Sequence, residues 1–263
     1  MIIVGICGAS GSGKSTLAKR IQDSLSCSCV IIGQDCYYKS FPELPFEERV
    51  HINYDEPSIF DYDEIIRDLD TLEAGKPITK KGYDYANHLR ADSDELIYPP
   101  EVLIMEGIHM FHDPRLVERM VLKVYMHVDI DICLLRRIKR DIKSRGRTID
   151  NIAEQYVDTV KPMYEKYIVN YINEADFAIM RGGKNKMAID CISAYLTTKV
   201  LAERFEREAK AKAEAEKAYE EAQTVLYTPQ RIEDYSSSFV LRFDKYICLI
   251  NFRDNGVYIK NPV

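Results

Sequence analysis

The stretch GASGSGKST, Gly8 to Thr16, follows the apolar run MIIVGIC and brings together the parts needed to hold a chain of phosphates. Gly8, Gly13, Lys14 and Ser15 complete the pattern G-x-x-x-x-G-K-S, and Gly11 adds another glycine inside it. Backbone N–H groups can turn inward around phosphate oxygens only where side chains do not obstruct them. The loop is therefore expected to bind ATP through Gly8, Ser10, Gly11, Ser12, Gly13, Lys14, Ser15 and Thr16. Lys14 can reach the β- and γ-phosphates and so take a catalytic part, while the Ser15 hydroxyl can serve Mg²⁺. A helix starting near Gly13 would aim its positive end at the anion.

Three further groups fit this chemistry. GQDCYYK puts Asp35 after the second apolar run, beside the expected γ-phosphate. There a carboxylate can orient an acceptor hydroxyl and take its proton; a helix cap or surface turn is the competing use of an isolated Asp. EVLIMEG is an apolar strand ending in an acid, which sets Glu106 next to the loop to hold Mg²⁺ together with Ser15, directly or through water. RRIKRDIKSRGR carries Arg136, Arg137, Arg140, Arg145 and Arg147. Arg137 and Arg140 share a helix face, and Gly146 is a flexible point just beyond it. That suits a lid over residues 136–147 that closes arginines on the transferring phosphate and excludes water, with Arg140 catalytic and Arg137 and Arg145 on ATP. The histidines of IHMFHD have no zinc-site spacing.

The elements that must position these residues follow from apolar patterning. Runs at 1–7, 29–32, 101–106, 122–128 and 175–180 read as strands. Between them, apolar residues three and four apart predict helices over 15–26, 62–74, 130–144, 149–173 and from 186 to about 212. The first run lacks polar alternation, as a strand buried on both faces would. The fold class is thus α/β: a parallel sheet with helices on both faces, its ligands at the carboxyl ends of the strands. Residues 1–204 form this domain, and residues 205–263 read as an appendage of an exposed Ala/Glu/Lys-rich helix followed by a β-hairpin turning at RDNG.

With 263 residues, 46% hydrophobic and 30% charged, the chain can build a sizeable core. A net charge of −6 argues against nucleic acid or an anionic membrane as partners. Seven scattered cysteines, an odd number, point to reduced thiols and a cytoplasmic protein. No apolar segment approaches a membrane span, and no secretory signal precedes the loop.

Taken together, GASGSGKST, QDCYYK, NYDEPSIFDYDEI, GKPITKKGYDYANHLR, VLIMEGIHMF, LLRRIKRDIKSRGR, EQYVDTVKPMYEKY and IMRGGKNKMAID closely resemble, in order, the uridine kinases. This P-loop family is related to phosphoribulokinase and bacterial pantothenate kinase. The resemblance spans residues 1 to about 200. It implies a nucleoside-binding insertion at 41–90, Asp35 as catalytic base, and Tyr38 lining the nucleoside site. Asp55 would accept hydrogen bonds from the ribose hydroxyls, with Tyr54 beside it, and Tyr83 and His88 would contact the pyrimidine. Arg137, Arg147 and Gln155 would complete the nucleoside contacts. It also implies ATP and Mg²⁺ as cofactors and a homo-oligomer with a small-molecule nucleoside substrate. The chain departs from the family's usual Ile-Leu at His109 and Met110, and in TKKGY before the base-contact tyrosine.

The expected reaction is transfer of the ATP γ-phosphoryl group to the 5′-hydroxyl of uridine or cytidine. Another small hydroxyl acceptor, a different nucleoside or a sugar phosphate, is the alternative within the same chemistry. A nucleotide-sensing switch is the alternative outside it, but its guanine-reading N-K-x-D would have Ala188 where the acid belongs.

Overall fold

The computed structural model describes residues 1–219 in full, the backbone of 220–227, and the backbone of strands at 231–235, 238–242, 247–251 and 256–260. The chain divides into two compact units, Met1–Leu201 and Ala202–Val263.

The first unit opens with β1 (Ile2–Gly8), the phosphate loop, α1 (Lys14–Ser24), β2 (Cys29–Gly33) and a 3-10 turn, Gln34–Tyr37. Then come α2 (Phe46–Arg49), α3 (Tyr62–Glu73), and four two-residue strands: β3 (Ile78–Thr79), β4 (Tyr83–Asp84), β5 (Leu89–Arg90) and β6 (Leu96–Ile97). These pair antiparallel, β3 with β6 and β4 with β5. The unit continues with β7 (Val102–Gly107), α4 (Pro114–Val117), β8 (Leu122–His127), α5 (Ile130–Arg145), α6 (Ile149–Gln155), α7 (Lys161–Lys166), β9 (Phe177–Met180) and the first part of α8 (Lys186–Tyr227), whose residues from 202 onward belong to the second unit.

Five strands form a parallel sheet in the order β2-β7-β1-β8-β9. Successive residues of β1 point to opposite faces, and both faces are covered. Ile2, Val4 and Ile6 pack with Leu17 and Ile21 of α1 and Ile189, Ile192 and Leu196 of α8. Ile3 and Cys7 join the other core, with Ile65, Leu69 and Leu72 of α3. That double burial is why the strand reads as an unbroken apolar run. Register fixes the site: Glu106 of β7 lies across from Ile6 on one side and Gly33 on the other, so its carboxylate emerges between the phosphate loop and Asp35.

Two elements differ from the sequence reading. The single helix expected over 149–173 is broken: α6 passes into a π-helical turn at Tyr156–Val160, then α7, then a 3-10 stretch at Ile168–Glu174. Pro162 has no N–H to give the Asp158 carbonyl and its ring crowds that group, so the backbone widens one turn earlier. The helix expected to end near 212 runs to Tyr227, since no breaker occurs before Pro229.

The second unit also holds more strand than the expected hairpin. β10 (Arg231–Tyr235), β11 (Ser238–Arg242), β12 (Ile247–Asn251) and β13 (Gly256–Lys260) form a four-stranded antiparallel sheet in sequential order. β12 and β13 are the pair flanking RDNG, Asn251 facing Gly256; the turn residues 253–255 lie outside the described residues. The charged RIEDY segment of β10 lacks the apolar content that marks a strand.

Candidate active site

The phosphate loop holds left-handed backbone at Gly11 (φ 86°) and Gly13 (φ 99°), which L side chains rarely adopt. At Gly11 a Cβ would also stand 2.3 Å from the Cys133 carbonyl oxygen, so α5 closes against the loop only because this position is bare. Lys14 is buried, and its Nζ donates to the carbonyls of Gly8 (3.0 Å) and Ala9 (3.1 Å). It is therefore folded over the loop, at the place a phosphate oxygen would compete for it. Ser12 is buried within the loop, and its N–H donates to the Ala9 carbonyl.

One cleft beside this loop gathers most of the expected residues: Ser10, Lys14, Ser15, Asp35, Tyr38, Tyr54, Asp55, Tyr83, His88, Glu106, Arg137, Arg140, Arg145, Arg147 and Gln155. Ser15 Oγ donates to Glu106 Oε1 at 2.6 Å. Burial pushes the Glu106 carboxyl up, an effect opposed by the Lys14 charge and the Ser15 hydrogen bond. A half-buried carboxylate and a hydroxyl this close fit a hard cation that keeps its other ligands from phosphate and water. Among the described residues no cluster of three or more His, Cys, Asp or Glu exists that would cage a metal by itself.

Aromatic rings build the wall. Tyr38 stacks on Phe60 (centroids 4.6 Å apart) and meets Tyr54 and Tyr83 edge-on, while Tyr54 stacks on His88 at 4.8 Å. His88 and Tyr85 sit in the turn joining β4 to β5, and Asp84 organises that turn by accepting from the Ala86 N–H and the Asn87 side chain. His88 has φ 53°, a left-handed conformation that His tolerates better than most residues. Burial, then the charges of Arg147, Arg49 and Arg145, lower its pKa to about 4, so the ring is neutral near pH 7. Its Nδ1 is buried with no partner among the described residues. A buried polar atom in a cleft normally has a partner, so this one suits a polar ligand.

Asp55 is buried at the back of the cleft. Burial raises its pKa, and the Arg137 charge and a hydrogen bond from Thr159 Oγ1 (3.3 Å) oppose that rise. Arg137, Arg140 and Arg145 come from α5, and Arg147 from just beyond its Gly146 cap. Arg137 donates to Ser10 Oγ (3.1 Å) and to Gln155 Oε1 (2.8 Å), and Arg147 donates to the same Gln155 oxygen. Arg145 lies over the Tyr85 ring at 4.0 Å. Arg137 and Arg145, expected on ATP, thus both line this cleft.

A second cleft lies on the other side of the loop, lined by Gly11, Gly13, Thr16, Arg136, Arg181, Gly183 and Lys184 together with Lys14, Ser15 and Arg140. Lys14, Ser15 and Arg140 border both clefts and so are the side chains that a phosphate chain spanning the two would cross. Arg181, Gly183 and Lys184 had not been singled out, although IMRGGKN carries the glycines of a strand-to-helix turn. Three others were missed. Tyr85 donates to Asp35 Oδ2 at 2.7 Å. Thr159 reaches Asp55. Asp141, fully buried, pairs with Arg140 (2.8 Å), Arg145 (3.5 Å) and Arg137 (3.6 Å). Only Asp141 left a trace in the sequence, lying four residues after Arg137 and four before Arg145.

Residues 3–188 match the phosphoribulokinase / uridine kinase family. A uridine kinase of Vibrio cholerae is 42% identical over 200 residues, covering 74% of this chain and 94% of its own. One from Bacillus cytotoxicus is 44% identical over 198 residues, covering 75% and 93%. Among solved structures, a Silicibacter protein described as a fructose transport system kinase superposes with a TM-score of 0.54 at 19% identity, over 68% of this chain and 89% of its own; at that distance the likeness is one of fold. Because the family match runs from β1 into α8, it takes in the elements that border both clefts, and this chain belongs to the phosphoribulokinase / uridine kinase family.

Proposed function

We propose that this protein transfers the γ-phosphoryl group of ATP to the 5′-hydroxyl of uridine or cytidine, giving the 5′-monophosphate in pyrimidine salvage. The observation that carries this reading is the lining of the first cleft: Lys14 and Ser15 share it with two carboxylates, Asp35 and Asp55, and with Tyr54 stacked on His88. The relatives named uridine kinase support the same acceptor.

ATP enters by the second cleft, its phosphates crossing Lys14, Ser15 and Arg140. Ser15 and Glu106 would hold Mg²⁺, which neutralises charge on the β- and γ-phosphates. The nucleoside lies against the insertion at 41–90: Asp55 accepts from the vicinal ribose hydroxyls, and Tyr83 and His88 take the base, the neutral imidazole offering one donor and one acceptor. The 5′-oxygen attacks the γ-phosphorus; the bond to the β,γ-bridging oxygen breaks as the new P–O bond forms. Asp35 receives the hydroxyl proton, and Lys14 and Arg140 meet the charge on departing ADP. Arginines on the lid, residues 136–147, exclude water and so limit hydrolysis.

We also assign the protein to the cytoplasm as a homo-oligomer whose substrates are small molecules, with no nucleic-acid or membrane partner. The net charge and the odd number of scattered cysteines support the compartment and the absence of nucleic-acid or membrane partners, and the likeness to the family supports the homo-oligomer. A panel of nucleosides and sugar phosphates with Mg²⁺-ATP, scored by product formation, tests the reading. Uridine and cytidine 5′-monophosphates are expected. Preference for a sugar phosphate, or ADP release that ignores the acceptor, would overturn it.

A further inference from the structure

His109 is fully buried three residues beyond Glu106, outside the cleft lining, and nothing in the reaction uses it. Its contacts nevertheless join the two carboxylate-bearing segments. Its backbone N–H donates to Gln34 Oε1 (2.9 Å), next to Asp35 in sequence, and its ring Nε2 lies 2.6 Å from the Asp55 carbonyl oxygen. A carbonyl oxygen only accepts, so Nε2 must carry the proton. Burial lowers the His109 pKa to about 4, which leaves the other nitrogen, Nδ1, unprotonated near pH 7. Nδ1 therefore accepts from the Tyr171 hydroxyl at 3.0 Å. Tyr171 then has only lone pairs left for His112, whose Nδ1 stands 3.1 Å away and must donate. One group without a choice, the Asp55 carbonyl, thus sets the direction of the whole chain from His112 through Tyr171 and His109.

The Asp55 backbone is held at both ends by this arrangement, since its own N–H donates to Asn53 Oδ1 at 3.0 Å. Only the ψ rotation separates that carbonyl from the Cβ carrying the side chain, so a peptide plane free to rotate would shift the Cβ and with it the carboxylate. We propose that His109 is a positioning residue for acceptor binding: its Nε2–H fixes the Asp55 peptide and with it the carboxylate that grips the vicinal diol. The proposal rests on the reading of Asp55 given above.

The test compares three variants by the KM for uridine, the KM for ATP and kcat, each alongside uridine titration of the full-length protein. His109→Leu fills the space without a donor. His109→Gln carries an amide N–H to about where Nε2 stands, whereas His109→Asn reaches only the Nδ1 position. The expected result is a rise of about tenfold in the KM and Kd for uridine in the Leu and Asn variants, the loss of one buried hydrogen bond. Recovery to within about threefold is expected in Gln, with the KM for ATP unchanged throughout. A parental uridine KM in the Leu variant overturns the proposal, and so does equal behaviour of Gln and Asn, which remains decisive if Leu does not fold. Asp55→Asn serves as reference. If it leaves uridine binding intact, the Asp55 reading itself fails; if it weakens binding while His109→Asn does not, only the His109 inference fails.

Discussion

The Tyr85 hydroxyl donates to Asp35 Oδ2 at 2.7 Å, and the Arg145 guanidinium covers the same tyrosine ring at 4.0 Å. One aromatic side chain from the β4–β5 turn thereby links the proposed base to the proposed lid. With Oδ2 engaged, the Asp35 carboxylate has its plane set and Oδ1 left for an acceptor hydroxyl. Tyr85→Phe keeps the ring and the Arg145 contact but frees the carboxylate. Its single-turnover rate is expected to fall about 10- to 150-fold, the equivalent of one charge-assisted hydrogen bond, with ATP affinity unchanged. An undiminished rate would show that the bond does not orient Asp35 during transfer.

Asp35 itself has the larger stake. Asn keeps its size and can still accept from Tyr85, but it cannot take a proton. General-base contributions are typically about 10² to 10⁴ in rate, so Asp35→Asn should lose at least about a hundredfold in turnover. ATP and uridine should both still bind, since Lys14 and Ser15 are assigned to one and Asp55 and His88 to the other. Titrating each ligand into the preparation used for single-turnover transfer separates the outcomes: near-normal transfer refutes the base assignment, and lost ATP binding points to a structural role.

His88 is assigned to the base alone. His88→Ala should weaken uridine and cytidine use by about 1–3 kcal/mol while ATP binding persists. Its folded pKa of about 4 lies below the ordinary histidine value, so the ring stays neutral and uridine affinity should be flat between about pH 6 and pH 8. The same shift stabilises the fold above the ordinary value, and that share is lost as pH falls from about 6.5 toward 4, where the unfolded chain takes the proton first. An uridine affinity that follows a titration near pH 6.5 would mean that the imidazole is not held neutral in the cleft.

How much of this was legible differs residue by residue. Asp35 and Glu106 could be placed because each ends an apolar run, and a parallel sheet brings such ends to one edge. The placement of Tyr38, Tyr54, Asp55, Tyr83 and His88 came from likeness of motifs, since no periodicity relates them. Tyr85 could not be paired with Asp35 from spacing: they lie 50 positions apart and meet only through the Asp84 turn. The two-residue strands β3 to β6 are too short for alternation to show. The break after α6 was readable in principle, because Pro162 sits within the apolar pattern that suggested one helix. His109 stood out only as a departure from the family's usual Ile-Leu, and a histidine in an apolar segment says nothing about which carbonyl it will meet.

Asp141 provides the last prediction, because it holds the arginines of the proposed lid without lining either cleft. Three guanidinium groups surround a carboxylate with no exposure, and Arg137 is itself nearly as buried. Burial works to raise the Asp141 pKa, but the Arg140 hydrogen bond and the charges of Arg140, Arg145 and Arg137 outweigh it and hold the pKa below the ordinary carboxylate value. Asp141→Asn keeps the shape and removes the charge, leaving Arg137 buried beside two like charges. Breaking one side of a buried ion cluster costs about 3–5 kcal/mol when a charge is left uncompensated; Arg137 keeps Ser10 and Gln155, so about 2–4 kcal/mol is expected in urea denaturation. The sign of the pH dependence follows from the lowered pKa. Asp141's contribution is complete above the unfolded carboxylate value near 4 and is lost as pH falls through the folded value. The gap between parent and variant should therefore be constant from about pH 8 to pH 5 and close below about pH 4. A gap that is absent at neutral pH, or that widens in acid, would mean that the arginines are held by the cleft's neutral groups and not by Asp141.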